Sequence, residues 1–103
     1  MERILSFIGI AQKAGKVKTG EYLTMKALKE FEARLVIIAG DTSEKATRRI
    51  TFACENLECE VRVFGTKESL GHYTGNREKS VICITDEGFS KALIQKIDAM
   101  KNA

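Results

Sequence analysis

The sequence predicts a three-layer α/β/α sandwich around a small mixed, mostly parallel sheet of about four strands. Two continuous apolar runs, Leu35–Ala39 and Val81–Ile84, read as strands covered on both faces, because a sheet with one wet face would alternate. Helix-period segments stand before, between and after these runs, so helix and strand alternate along the chain. The chain lacks proline, a Gly/Ser-rich linker and any low-complexity tract. Its 103 residues suffice for one domain and are too few for two, so residues 1–103 are expected to form a single domain.

Each element has its own signal. Residues 2–14 are helical, with Ile4, Ile8 and Ala11 on one stripe and Phe7, Ile10 and Ala14 beside it. Gly15 is placed to stop this helix. Val17 to Thr19 reads as a short extended piece. A second helix over about 20–32 is expected to bury Leu23, Ala27, Leu28 and Phe31. After the first apolar strand, Asp41, Thr42 and Ser43 supply capping side chains for a helix over about 44–57, which buries Ala46, Ile50, Ala53, Cys54 and Leu57. Val61, Val63 and Phe64 mark a further strand, and Thr66 caps a short helix to about Tyr73. Asp86 opens the last helix, with Phe89, Leu93, Ile97 and Met100 inward.

Composition narrows the function. Hydrophobic residues make up 44% and charged residues 30%, a globular balance. The net charge of +3 suits a polyanionic partner without requiring one. The three cysteines, Cys54, Cys59 and Cys83, contain no CxxC pair, so neither a disulfide framework nor a zinc site follows. No signal peptide and no membrane-spanning run is visible, and a reducing cytoplasm is the expected setting. Neither DNA, a membrane nor a cofactor is expected as a partner.

An enzyme is not indicated. His72 is the only histidine, and no nucleophile or carboxylate stands in a recognisable arrangement with it. Asp41 and Asp86 follow buried strands, where ligand sites of α/β folds form, but each also precedes a helix and reads better as an N-cap. The glycines form neither of the common phosphate-loop motifs.

Three binding features remain. Gly20 opens a helix whose free N–H groups and positive dipole end can hold an anion, or it serves only a tight turn. In the run from Leu70 to Lys79 a short helix ends at glycine, by way of Gly71 and Gly75, and a polar, basic loop through Asn76 and Arg77 leads to the next strand, with no apolar anchor from Asn76 to Lys79; it is a binding loop or an ordinary connection. Lys13, Lys16 and Lys18 cluster around the turn before the second helix and Lys26 lies six residues after Gly20; all four are within reach of a phosphate backbone near the Gly20 terminus or are scattered solubility charge.

Taken together, the segment from Gly9 to Gly20, the helix reaching Lys26-Ala27-Leu28, the strand LVIIAGDTS, and LGHYTG before VICITDEGF resemble the kink-turn-binding ribosomal protein family, most closely its bacterial YlxQ-like branch. The resemblance covers essentially the whole chain. It implies a sandwich that grips a sharply bent RNA, in which tandem G·A pairs flank a three-nucleotide bulge. In such proteins the N-terminus of the second helix reads guanine edges, and the loop after LGHYTG packs on the bulge. Gly20, Lys26, Gly71 and Gly75 match the family's own residues. Lys13, Lys16, Lys18, Glu21, Tyr22, Asn76, Arg77 and Lys79 complete the RNA-facing set, with rRNA or another non-coding RNA as partner and the ribosome as a possible setting. Better-known members carry Asn-Glu where this chain has Tyr22-Leu23. Leucine cannot read a base edge, so this departure shifts the expected contact toward phosphates, helix dipole and shape. The rival reading is a protein-interaction module on the same fold with weak or lost RNA affinity.

Overall fold

The computed structural model describes residues 1–101. Its elements, in chain order, are α1 (Glu2–Lys13), β1 (Val17–Thr19), α2 (Glu21–Lys29), β2 (Leu35–Ile38), α3 (Glu44–Asn56), β3 (Glu60–Val63), α4 (Lys67–Tyr73), β4 (Val81–Ile84) and α5 (Glu87–Lys101). The strands form one mixed sheet in the order β1-β4-β2-β3.

Both predicted buried strands lie at the centre, and all four residues of each are buried. Their side chains divide by the two-residue period. Leu35, Ile37, Ile82 and Ile84 face a cluster with Ile4, Leu5 and Ile8 of α1, Leu70 of α4, and Leu93 and Ile97 of α5. Val36, Ile38, Val81 and Cys83 face the opposite cluster, with Ala27 and Leu28 of α2 and Ile50 and Cys54 of α3. The three layers are therefore helices on each side of a doubly buried sheet.

The sheet is mixed as expected, but it is not mostly parallel. Among the described residues only β2 and β3 pair in parallel, while β4 is antiparallel to both β1 and β2. The cause is the short α4. Its seven residues and the following loop make an excursion that returns to where it began: the Lys79 N–H donates to the Lys67 carbonyl at 3.0 Å. The chain thus re-enters the sheet at the end where β3 left it. The Ala39 N–H donates to the Ser80 carbonyl at 2.8 Å, so β4 starts where β2 stops and must run the other way.

Two helical faces also differ from expectation. On α2 the buried stripe is Thr24, Ala27 and Leu28, while Leu23 is 40% exposed. The helix ends at Lys29, and Phe31 lies beyond it at φ 58 and 71% exposed, so the periodicity that placed it inside does not apply. Ile10 and Met100 also point outward, near the ends of α1 and α5.

The caps follow the sequence with one exchange. Ser43 Oγ accepts from the Ala46 N–H and caps α3, and Asp86 accepts from the Phe89 N–H at the start of α5. Asp41 caps a different helix from the one that follows it: its carboxylate accepts from the Lys67 N–H of α4 at 2.8 Å. Thr66 and Ser69 form a reciprocal capping box on the same helix. Cys54 and Cys83 are buried as small hydrophobes, and burial pushes the Cys83 thiol up to about 12, which keeps it protonated at neutral pH.

Thr66→Ala removes the side-chain half of that box and is expected to cost about 1 kcal/mol. A melting temperature lower by roughly 4–8 °C in thermal unfolding would agree with this; no shift would show that Asp41 alone holds the helix start.

Candidate nucleic-acid interface

The sheet topology gathers one set of chain ends. The C-terminal ends of β1 and β2 and the start of β4 meet at one edge, because β4 is antiparallel to both neighbours. The Gly20 N–H, just after β1, donates to the Val81 carbonyl at 2.9 Å. This bond fixes the start of α2 beside the loop that precedes β4.

Gly20 is the N-cap of α2, at φ 90 and ψ 162. A side chain would be strained there, which accounts for glycine. Among the described residues no side chain caps this helix, and its first internal bond is from the Thr24 N–H to the Gly20 carbonyl. The early N–H groups of α2 therefore point at the surface with the positive end of the helix dipole behind them. A Cβ placed on Gly20 would stand 4.0 Å from Lys79 Nζ. The predicted helix terminus and the last residue of the predicted loop are thus brought together.

The loop is more firmly held than its polarity suggests. The Asn76 N–H donates to the Gly71 carbonyl at 2.8 Å, and Asn76 Nδ2 donates to the Thr74 carbonyl at 3.0 Å. Thr74 is buried, and its hydroxyl donates to the Leu70 carbonyl at 2.7 Å. Gly71 explains the close fold-back: a Cβ there would collide with the Arg77 carbonyl. Gly75 takes φ 76, and the Arg77 side chain remains exposed. The anchors are polar and backbone-made, so a search for apolar residues in the loop could not reveal them.

The remaining candidates separate. Tyr22 is 79% exposed in the first turn of α2. Glu21 faces a partner within the protein: its carboxylate receives Arg49 Nε at 2.8 Å and Arg49 Nη2 at 2.9 Å. The Arg49 hydrogen bonds hold the Glu21 carboxyl below its usual range. Sequence alone does not single out Arg49; nothing in its helical position distinguishes it from a solvated arginine. Lys18 and Lys26 line one shallow groove with Leu23, Glu30 and Glu32. Lys16 lies at the far end of β1, where its carbonyl accepts from the Thr85 N–H. Lys13 faces the segment His72–Gly75 across a separate groove. The basic set is therefore divided among three places and does not form one cluster at Gly20.

The α/β/α sandwich around a four-stranded mixed sheet is shared with solved proteins. A solved protein of unknown function from Bacillus halodurans C superposes with a TM-score of 0.88 at 33% identity, covering 92% of this chain and 96% of that one. The Giardia lamblia 15.5kD RNA binding protein shares the fold, with a TM-score of 0.79 at 23% identity over 92% of this chain and 84% of that one. The chain belongs to the Ribosomal protein L7Ae/L30e/S12e/Gadd45 family, whose model matches residues 2–94. It is 30% identical over 91 residues to the RNA-binding protein YlxQ of Bacillus subtilis (strain 168), covering 88% of this chain and 91% of that protein. It is 34% identical over 92 residues to the large ribosomal subunit protein eL30 of Yarrowia lipolytica (strain CLIB 122 / E 150), covering 87% and 84%.

Gly71→Ala forces the Arg77 backbone away and is expected to destabilise the protein by about 1–3 kcal/mol, read by denaturant unfolding. A neutral result would mean that the loop moves at no cost.

Because Arg49 lowers the folded-state pKa of Glu21, their pairing stabilises the protein above the ordinary glutamate range and loses that effect as pH falls through the folded value. Glu21→Gln should therefore be less stable than the wild type at pH 7, with the two converging as pH drops below about 4. A constant difference across that range would exclude the linkage.

Proposed function

We propose that this protein binds RNA, gripping a kink-turn or a similarly bent structured element. The observation that carries the reading is the juxtaposition of the uncapped α2 terminus at Gly20 with Lys79 of the loop before β4. Free N–H groups, a helix dipole and a lysine on adjoining segments suit a phosphate backbone that turns sharply. Family membership and the names of the relatives support the same class of ligand. The reading is non-enzymatic and cytoplasmic, with residues 1–103 acting as one domain on rRNA or another non-coding RNA, in the setting of the ribosome or another ribonucleoprotein. Lys26 and Lys18 supply phosphate contacts beside α2, and Tyr22 offers an exposed ring for an unpaired base. Asn76 and Arg77 meet the bulged strand. Glu21 acts indirectly, by holding Arg49 near the helix start.

The alternative, a protein-interaction module, is favoured by one observation. Tyr22, Phe31 and Phe52 are all strongly exposed on the α2–α3 side, and such anchors serve protein partners as well.

The two readings separate in one titration. An intact kink-turn should bind more tightly than the same duplex without its bulge; equal affinity removes the kink-turn reading. Lys79→Ala and Lys26→Ala should each weaken binding and reduce the slope of log K against log salt by about one. An unchanged slope for Lys79→Ala would remove the loop from the contact.

A further inference from the structure

Two cysteines meet where α3 gives way to β3. Leu57 is the C-cap of α3, and Glu58 follows it in the left-handed region at φ 55. The Glu58 N–H donates to the Glu55 carbonyl at 3.2 Å, and the Cys59 N–H to the Cys54 carbonyl at 2.8 Å. This pair of bonds is the Schellman way of ending a helix. It brings the third residue from the helix end against the second residue past the cap, a contact that is commonly apolar. Here both members are cysteine, five positions apart and outside any CxxC pattern.

Their surroundings give the two thiols different roles. Cys54 is buried in the core beside Val36, Ile50 and Cys83, whereas Cys59 is half-buried and opens onto a groove of about 210 Å³ with Phe31, Arg34 and Leu57. Main chains one hydrogen bond apart and thiols in contact suit the short reach of a disulfide. The Cys54 thiol donates to Cys59, and that bond together with burial pushes Cys54 up. The same bond holds the Cys59 thiol below its usual range, opposed by desolvation and Glu60 and aided by the Arg34 guanidinium. The sulfur open to the groove is thus the one whose thiolate, the nucleophilic form, is favoured, and the buried sulfur stands behind it with its proton.

We propose that Cys54 and Cys59 are an oxidation site, a dithiol that a hydroperoxide converts to an intrachain disulfide. The Cys59 thiolate attacks one peroxide oxygen and the O–O bond breaks. The leaving oxygen takes the proton that Cys59 gave up, and Cys59 becomes a sulfenic acid. The Cys54 sulfur then attacks the Cys59 sulfur, the S–O bond breaks, and the departing hydroxide carries off the Cys54 proton as water. Two electrons leave the two thiols and reduce one peroxide. A small thiol reverses the bond by exchange. The site lies at the end of the sheet where β2 and β3 begin, opposite the Gly20 edge, and is independent of the RNA reading.

The sequence makes the test direct. Cys54 and Cys59 share one tryptic peptide, Ile50–Arg62, and Cys83 falls on another, Ser80–Lys91. The reduced, folded full chain is exposed to hydrogen peroxide, free thiols are alkylated under denaturing conditions, and the peptides are weighed. Ile50–Arg62 should be two hydrogens lighter than its reduced form and take up no alkyl group, while Cys83 alkylates fully. Dithiothreitol should restore both sites. Cys54→Ala should stop at the Cys59 sulfenic acid, trapped by dimedone, and Cys59→Ser should leave Cys54 reduced. Should Cys54→Ala fold poorly, the wild-type map decides alone. The proposal is overturned if both cysteines of that peptide remain alkylatable, if Cys59 pairs with Cys83 or with a second chain, or if Cys59 goes on to a sulfinic acid without closing on Cys54.

Discussion

The candidate interface depends on the antiparallel placement of β4 between β1 and β2. Those two ladders put the end of β1, the end of β2 and the start of β4 at one edge of the sheet. Without them Gly20 and Lys79, 59 positions apart in the sequence, would have no reason to be neighbours. The ladders are secured by burial: Val81–Ile84 and Leu35–Ile38 are covered on both faces by the two helical layers. Slipping β4 by one residue would exchange Ile82 and Ile84 with Val81 and Cys83 between the two cores, so its register is strongly specified.

Electrostatics at this edge are arranged more locally than the modest net charge implies. Glu21, the acidic residue of the first turn of α2, is occupied by a two-pronged contact from Arg49. That contact leaves the helix start less negative than the sequence suggests and holds a guanidinium close to it. The pair is partly exposed, so its main effect is positional, with only a small part in stability. Elsewhere, Arg62 is held by Asp98 of α5, tying the outer strand β3 to the far helical layer.

The central strands were legible in the sequence because a short, continuous apolar run between helical segments fits little besides a strand covered on both faces. Their relative direction was not, because a strand buried on both faces carries the same pattern whichever way it runs. The deciding fact is that α4 and its loop close on themselves through the Lys79–Lys67 bond, a backbone contact without a side-chain signature. Phe31 is misplaced by its periodicity for a related reason: a period places a residue only while the helix continues, and α2 stops two residues earlier. Among the candidate site residues, Gly20 stood out as the opening of a helix and Gly71 and Gly75 by their match to the family pattern, and the structure accounts for glycine at each because a side chain would be strained or blocked there. Arg49 was not legible, since its partner lies 28 positions away.

The self-closing excursion from Lys67 to Lys79 bears on how such a domain can change over time. Its two ends are fastened to each other, and its first residue is also held by Asp41. Leu70 anchors α4 in the core against the sheet, so what is free to vary is the exposed turn from Gly75 to Glu78, and lengthening a loop between fixed ends costs little entropy. Residues 75–78 form a turn that can be exchanged or extended while α4, β3 and β4 keep their places. Relatives with the same sheet could present quite different surfaces at this edge and so acquire different ligands without refolding the core.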